Sequence, residues 1–292
     1  MIIVTGASNQ LGRQVIEQLL ERIAPDRIGA SVREPEKAAD LAERGIRVRH
    51  GDFADAASLA DSFAGATKVL VVSANAPGDA AKTLNATALR AAATAGAEHV
   101  YYTSHVGVSD VSAFPPMTVH DATEAVGRDL DVPFTALRNG FYAEFAPNLL
   151  GDAVVTGALE APADGPMSWT THADIAEAIA IILGDGIGDD VIALTASRAV
   201  DLADIAAVAS ALTGREIRRV VVDEDSYRAR LAARGLPEGA ISASMGIFAA
   251  ARHGQFSTVD PTLERLIGRP PISIESVLRN ALSTEGLAPT RR

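Results

Sequence analysis

Within the first 140 residues six short apolar runs alternate with five stretches patterned as helices, and no other feature narrows the possible folds of this chain as far. MIIVTG (1–6) reads as a buried strand. In QLGRQVIEQLLERI (10–23), Leu11, Val15, Leu19 and Leu20 fall on one helical stripe. Further strands are DRIGASVR (26–33), IRVRHGDF (46–53), KVLVVSA (68–74), HVYYTS (99–104) and FTALRNG (134–140). The helices between them are EPEKAADLAERG (34–45), with Pro35 in its first turn and Gly45 at its stop, ADAASLADSFAG (54–65), TLNATALRAAATAG (83–96) and, after a loop with Pro115 and Pro116, MTVHDATEAVGRDL (117–130). Units of this spacing predict an α/β fold, a doubly wound parallel sheet with helices on both faces and right-handed connections.

After about residue 150 the rhythm loosens. Helices are expected over 171–186 and 201–215, and extra strands at VIALTA (191–196) and IRRVVV (217–222). The chain thus divides into a sheet-forming region, 1–150, and a smaller α+β lobe, 151–292. The lobe is partly interleaved with the first region and packs over the sheet's ligand edge. The last residues, 284–292, read as frayed.

Composition excludes several function classes. Apolar runs such as Ile175–Leu183 are far shorter than a bilayer crossing, so no membrane association is expected. The chain enters a strand at once, so no secretory signal is expected, and a cytoplasmic location is the simplest account. The absence of cysteine removes thiolate catalysis and cysteine-ligated metals. The net charge of −11 repels phosphate backbones, and Glu216 interrupts the densest basic patch (Arg215, Arg218, Arg219), so no direct nucleic-acid partner is expected. The six histidines show no paired metal spacing, so no metal is expected.

Parallel sheets of this kind bind ligands at the carboxyl ends of their strands. The first such end carries Gly6-x-x-Asn9-x-x-Gly12, a dinucleotide-binding fingerprint in its required strand-to-helix context. Gly6 permits the tight turn, Gly12 lets helix and strand pack closely, and the backbone of Gly6, Ala7, Ser8, Asn9, Gln10, Leu11 and Gly12 faces the pyrophosphate. Asn9 replaces the usual second glycine. It is a low-cost substitute where positive φ is needed, and its amide either crowds the phosphates or hydrogen-bonds to them. Arg33 ends the second strand, where an acidic residue would favour NADH. An arginine suits the 2′-phosphate of NADPH, and the alternative is a solvated loop side chain. Asp52 and Phe53 end the third strand and are candidates for the adenine, with Asp52 equally placed to cap the next helix. The fourth, fifth and sixth ends add Ser73, Ala74, Asn75, Thr103, Ser104, Arg138, Asn139, Gly140, Phe141 and Tyr142.

VTGASNQLG (4–12), the stretch 32–53, YYTS (101–104) and FTALRNGFY (134–142) closely resemble the NmrA-like branch of atypical short-chain dehydrogenases. Within it the closest likeness is to the bacterial NAD(P)H:quinone oxidoreductase and triphenylmethane reductase group. The likeness runs through nearly the whole chain, including 212–239 in the small lobe. It implies a Rossmann-type domain with a small C-terminal lobe, NADPH in the cleft, and direct hydride transfer to a quinone-like acceptor. It also implies cofactor contacts at Gly6 to Leu11, Arg33, Ser73 to Asn75 and Arg138 to Tyr142, the last group beside the nicotinamide.

Most short-chain dehydrogenases donate a proton from a tyrosine paired with a lysine four residues on. None of Tyr101, Tyr102, Tyr142 and Tyr227 has such a partner. At the expected place stands His120-x-x-x-Glu124. Alcohol or ketone chemistry is therefore disfavoured. A quinone accepts hydride directly, so the protein need mainly hold the acceptor against the nicotinamide. His120 and Tyr142 are the candidate proton donors or ring contacts; alternatively, His120 bonds Glu124 one turn on, and Tyr142 merely packs. Trp169 reads as a core or cleft-wall residue. A non-catalytic NAD(P)-binding redox sensor acting on a protein partner fits the missing Tyr–Lys pair equally well. Monomer and homodimer both stay open.

Overall fold

Ile2 and Val4 are buried in one core cluster and Ile3 in another, as expected for a strand covered on both faces. That strand, β1 (Ile2–Thr5), lies inside a seven-stranded sheet with β2 (Ile28–Val32), β3 (Arg47–His50), β4 (Lys68–Val71), β5 (His99–His105), β6 (Phe134–Asn139) and one late strand. The computed structural model describes residues 1–284, so the tail expected to fray falls outside the described residues, apart from Thr284 at the end of the final helix.

Helices α1 (Gln10–Leu20) and α2 (Ala39–Glu43) pack on one face of the sheet. The other face carries α3 (Ala56–Phe63), α4 (Gly78–Thr94) and α5 (Pro115–Arg128). Three of these differ from their expected form. The helix expected over 34–45 is a 3₁₀ turn, Pro35–Ala38, followed by the short α2; Gly45 (φ +87°) ends it as expected. Helix α4 begins at Gly78, before the Ala-rich stretch. Pro115 and Pro116 open α5 instead of preceding it, because a proline in the first turn sacrifices no helical hydrogen bond.

Beyond residue 142 come β7 (Phe141–Tyr142), α6 (Ala146–Leu150), α7 (Ala153–Thr156), β8 (Ala158–Ala161), β9 (Trp169–Thr170), α8 (His172–Asp185), β10 (Val191–Leu194), α9 (Leu202–Thr213) and β11 (Arg218–Val221). They are followed by α10 (Glu224–Ala233), α11 (Glu238–Arg252), α12 (Thr262–Ile267) and α13 (Ile274–Thr284). Two of the late elements return to the first region: α8 packs on α1, and β10 pairs with β6. The full order is β10-β6-β5-β4-β1-β2-β3, with every pairing parallel. This is a Rossmann-type sheet whose order reverses between β1 and β4, opening a crevice at their carboxyl ends. The late segments also build a second core around Phe141, Trp169, Ile205, Phe248 and Phe256, with β8 paired to β11 and β7 to β9. Among the described residues no helix is long and apolar enough to cross a membrane.

The second core is held over the sheet by close backbone approach. A Cβ on Gly246 of α11 would lie 2.3 Å from the Ala113 carbonyl oxygen, just before α5. We expect Gly246→Ala to lower the free energy of unfolding by about 1–3 kcal/mol through overpacking, outweighing the ~1 kcal/mol gained in helix propensity. Urea denaturation measures this; an unchanged or raised midpoint would show that the contact yields freely.

Candidate active site

The turn after β1 has the form its glycines require. Gly6 has φ +63°, and its N–H donates to the Ser31 carbonyl (3.2 Å). A Cβ on Gly12 would lie 2.5 Å from the Gly6 carbonyl oxygen, so α1 sits against the end of β1 as only glycine permits. Asn9 is the N-cap of α1, but its backbone is extended (φ −98°, ψ 162°) and its side chain makes no capping bond. This corrects the positive-φ reading of Asn9: a glycine would serve here for space. No acidic residue lies in the first turn of α1. The helix therefore presents uncapped amides and the positive end of its dipole to the crevice. Ala7 is buried, while Ser8, Asn9 and Gln10 are exposed along its rim and Leu11 anchors the helix in the core.

Arg33 is exposed at the end of β2. Its neighbour Glu34 is paired with Lys37 (2.7 Å), and Arg33 itself has no ion pair among the described residues. The carboxylate of Asp52 accepts from the Ala54 amide (2.9 Å), while Asp55 caps α3, so Asp52 is not the helix cap. Phe53 lines a cavity of about 520 Å³ with Asp79, Ala80, Thr83 and Leu84 at the start of α4.

The loop after β4 is pinned from below. The Val72, Ser73 and Ala74 amides donate to Thr5 Oγ1 (2.8 Å), Thr103 Oγ1 (2.9 Å) and Asn85 Oδ1 (2.8 Å). Asn75, next along, is exposed. Thr103 is buried, and its hydroxyl is committed to this loop. Ser104 is buried and donates to Glu124 Oε1 (2.6 Å). These two hydroxyls, expected at a cofactor, instead position the loop and a carboxylate.

Glu124 is 1% exposed and accepts a two-pronged bond from Arg138, Nε to Oε1 at 2.9 Å and Nη2 to Oε2 at 2.6 Å. Arg128 adds a contact at 3.4 Å. A buried carboxylate needs such a partner, and the bond raises the Arg138 pKa in return. The Arg138 fork is thus engaged within the protein. One expectation is corrected: Glu124 does not bond His120. Instead Nδ1 of His120 bonds the Tyr102 hydroxyl at 2.9 Å. Burial pushes His120 down to about 4, against the raising field of Glu124, and pushes His105 down to about 3. Both imidazoles are therefore neutral at pH 7, each keeping a single ring proton, and neither is an imidazolium acid.

Asn139 is fully buried at the end of β6, with its amide beside the Tyr142 hydroxyl. Gly140 has no room for a side chain, since its Cβ would lie 2.2 Å from Thr170 Oγ1 where the chain crosses β9. Phe141 centres an aromatic wall with ring centroids 5.2 Å to Trp169, 5.3 Å to Phe256, 5.8 Å to His105 and 6.4 Å to Phe114. Trp169 is a core residue whose indole N–H donates to the Val200 carbonyl (3.1 Å). Tyr142 stacks on His172 at 4.1 Å. Glu144 holds His172 through its backbone N–H and Nδ1, both at 2.9 Å. Burial opposes ionisation of Glu144, but these bonds outweigh it and lower its pKa; burial raises that of Tyr142.

Sequence reasoning missed Thr5, Asn85, Tyr102, Glu144 and His172. Asn85 had a visible signal, a lone amide on a helical stripe otherwise made of Ala81, Ala88, Leu89 and Ala92. Among the described residues no group of three or more histidine or acidic side chains is placed to hold a metal ion.

Comparison with known proteins agrees with this geometry. The family model described as NAD(P)H-binding matches residues 6–186. Quinone oxidoreductase 2 of Escherichia coli is 34% identical over 283 residues, covering 95% of this chain and 97% of that protein. The structure of NADPH-dependent quinone oxidoreductase from Escherichia coli complexed with NADPH superposes with a TM-score of 0.88 at 30% identity, covering 98% of this chain and 100% of that one. Triphenylmethane reductase from Citrobacter sp. superposes with a TM-score of 0.88 at 30% identity, covering 97% and 99%. The chain belongs to the NAD(P)H-binding, NmrA-like family of Rossmann-type oxidoreductases.

Proposed function

We propose that this protein is an NADPH-dependent oxidoreductase that passes hydride directly to a quinone or a similar conjugated acceptor. The observation that carries the reading is the uncapped, acid-free N-terminus of α1 at the reversal point of the sheet, flanked by an arginine with no ion pair among the described residues. The backbone of Gly6 to Gly12 would hold the pyrophosphate. Arg33 would meet the 2′-phosphate, and Asp52 and Phe53 the adenine end. Ser73 to Asn75 would border the riboses. Asn139 to Tyr142 would border the nicotinamide, where the buried amide of Asn139 matches a carboxamide in hydrogen-bonding character.

When bound, NADPH supplies the hydride, so that NADPH, quinone and one proton yield NADP⁺ and hydroquinone. The protein's share is proximity. Phe114 and Phe141, backed by the buried Phe256, would hold a planar acceptor and keep water from the transfer. With both His105 and His120 neutral, the proton that completes the hydroquinone comes from solvent.

Two experiments test this. Purified protein mixed with NADPH and a panel of quinones is expected to consume reduced nicotinamide in proportion to quinone. Tight NADPH binding with no turnover across the panel would favour a redox sensor instead. Arg33→Ala is expected to weaken NADPH binding by roughly tenfold, as one exposed charge-assisted contact implies, and to leave NADH binding unchanged. An equal loss for both nucleotides would remove Arg33 from the 2′-phosphate.

A further inference from the structure

We propose that Asn85 and Tyr102 are positioning residues that lock His120 in the tautomer with its proton on Nε2, making His120 a fixed hydrogen-bond donor to the acceptor's oxygen. The assignment of His120 to the acceptor rests on the reductase reading above; the lock itself does not.

The proton positions follow from a chain of bonds that starts at a group with no choice. The Ala74 N–H can only donate, so the Asn85 atom it meets at 2.8 Å is the carbonyl oxygen. The other amide atom of Asn85 is therefore Nδ2, and its two hydrogens face the Tyr102 hydroxyl at 3.2 Å and Thr123 Oγ1 at 3.4 Å. Tyr102 oxygen thus accepts from Asn85, and its own proton must go elsewhere. Two acceptors stand beside it. Thr123 already receives from Asn85 and gives its proton to the Val119 carbonyl (2.8 Å). His120 Nδ1, at 2.9 Å, is the more basic atom and takes the bond. A neutral imidazole that accepts at Nδ1 carries its proton on Nε2, which has no partner among the described residues.

His105 repeats the pattern, since the Gly107 N–H donates to its Nδ1 at 2.9 Å. The groups facing His120 are Tyr102 and His105 from β5, and Glu124 on its own helix, which is tied to Arg138 and Arg128. None of them holds a proton that His120 would draw at pH 7. The chain ends at Asn85, whose amide is not an acid. It can orient His120 but cannot refill it, so His120 stabilises the charge growing on the acceptor's oxygen while solvent delivers the proton.

Imidazole ¹H–¹⁵N spectra of the ¹⁵N-labelled full chain test the lock without turnover, with His120 identified by the signals lost in His120→Gln. We expect Nδ1 bare and Nε2 protonated, at pH 7 and at pH 5.5 alike. Asn85→Asp turns the amide donor into an acceptor. Tyr102 should then donate to Asp and receive from Nδ1–H, so the tautomer inverts. Tyr102→Phe should leave the two tautomers mixed. In both variants kcat is expected to fall by roughly 10²-fold, the low end for losing one donor to a developing oxyanion, with KM for NADPH unchanged. Should Asn85→Asp fail to fold, the wild-type and Tyr102→Phe spectra decide alone. A wild-type His120 with its proton on Nδ1, or doubly protonated at pH 7, overturns the lock even if quinones are reduced normally. An Nε2-protonated His120 in a protein that binds NADPH and reduces nothing keeps the lock and overturns the reductase reading.

Discussion

The crevice depends on the approach of α1 to the end of β1, where a Cβ on Gly12 would lie 2.5 Å from the Gly6 carbonyl oxygen and leaves no room for even a methyl group. This contact fixes where the amides of α1 point. It also places them at the reversal of strand order, where parallel strands diverge and leave a gap. Helix α8 packs against α1 and carries His172, whose ring centroid lies 4.1 Å from that of Tyr142. The turn after β1 and the segment after β6 are thus tied through one pair of helices.

Around that contact the chain uses buried polar groups to hold its loops. Thr5, Thr103 and Asn85 each accept one amide from the loop after β4, so the loop's shape is set by side chains in β1, β5 and α4. Glu124 does the same for Arg138 and Ser104, whose strand positions are paired in register. Buried charge and buried amides are stabilising only when satisfied, and these are. The amide of Asn139, also buried, lies beside the Tyr142 hydroxyl at the place where the family resemblance implies the nicotinamide.

The parts of this arrangement that were legible in the sequence are those with periodicity or special backbone needs. Of the six sheet strands before residue 140, β1, β2, β4, β5 and β6 read clearly because each is a short, largely apolar run covered on both faces, whereas β3 is a partly exposed edge strand. Gly6 and Gly12 read clearly because a turn and a close approach exclude other residues. Elements of two to five residues, such as β7, β9, α6 and α7, are too short to show a period. VIALTA was legible as a strand, but nothing local says that β10 joins the main sheet beside β6. The misreadings share one cause, the use of a local rule where a distant partner prevails. His120 and Glu124 are spaced for an i,i+4 pair. Yet the buried carboxylate takes the stronger charge of Arg138, fourteen positions on, and His120 turns to Tyr102 on the sheet. Asn9 was judged by backbone preference, while its extended conformation makes no such demand.

The central claim is that this cleft holds a nicotinamide against an acceptor and transfers hydride without a protein acid. Single-turnover reduction of a quinone with NADPH carrying deuterium on one or the other face of C4 tests it most directly. The account predicts that one labelled face alone slows the reaction, by the same factor from pH 6 to pH 8, because His105 and His120 do not titrate there. Equal slowing by both faces, or an isotope effect that fades as one group titrates in this range, would contradict it.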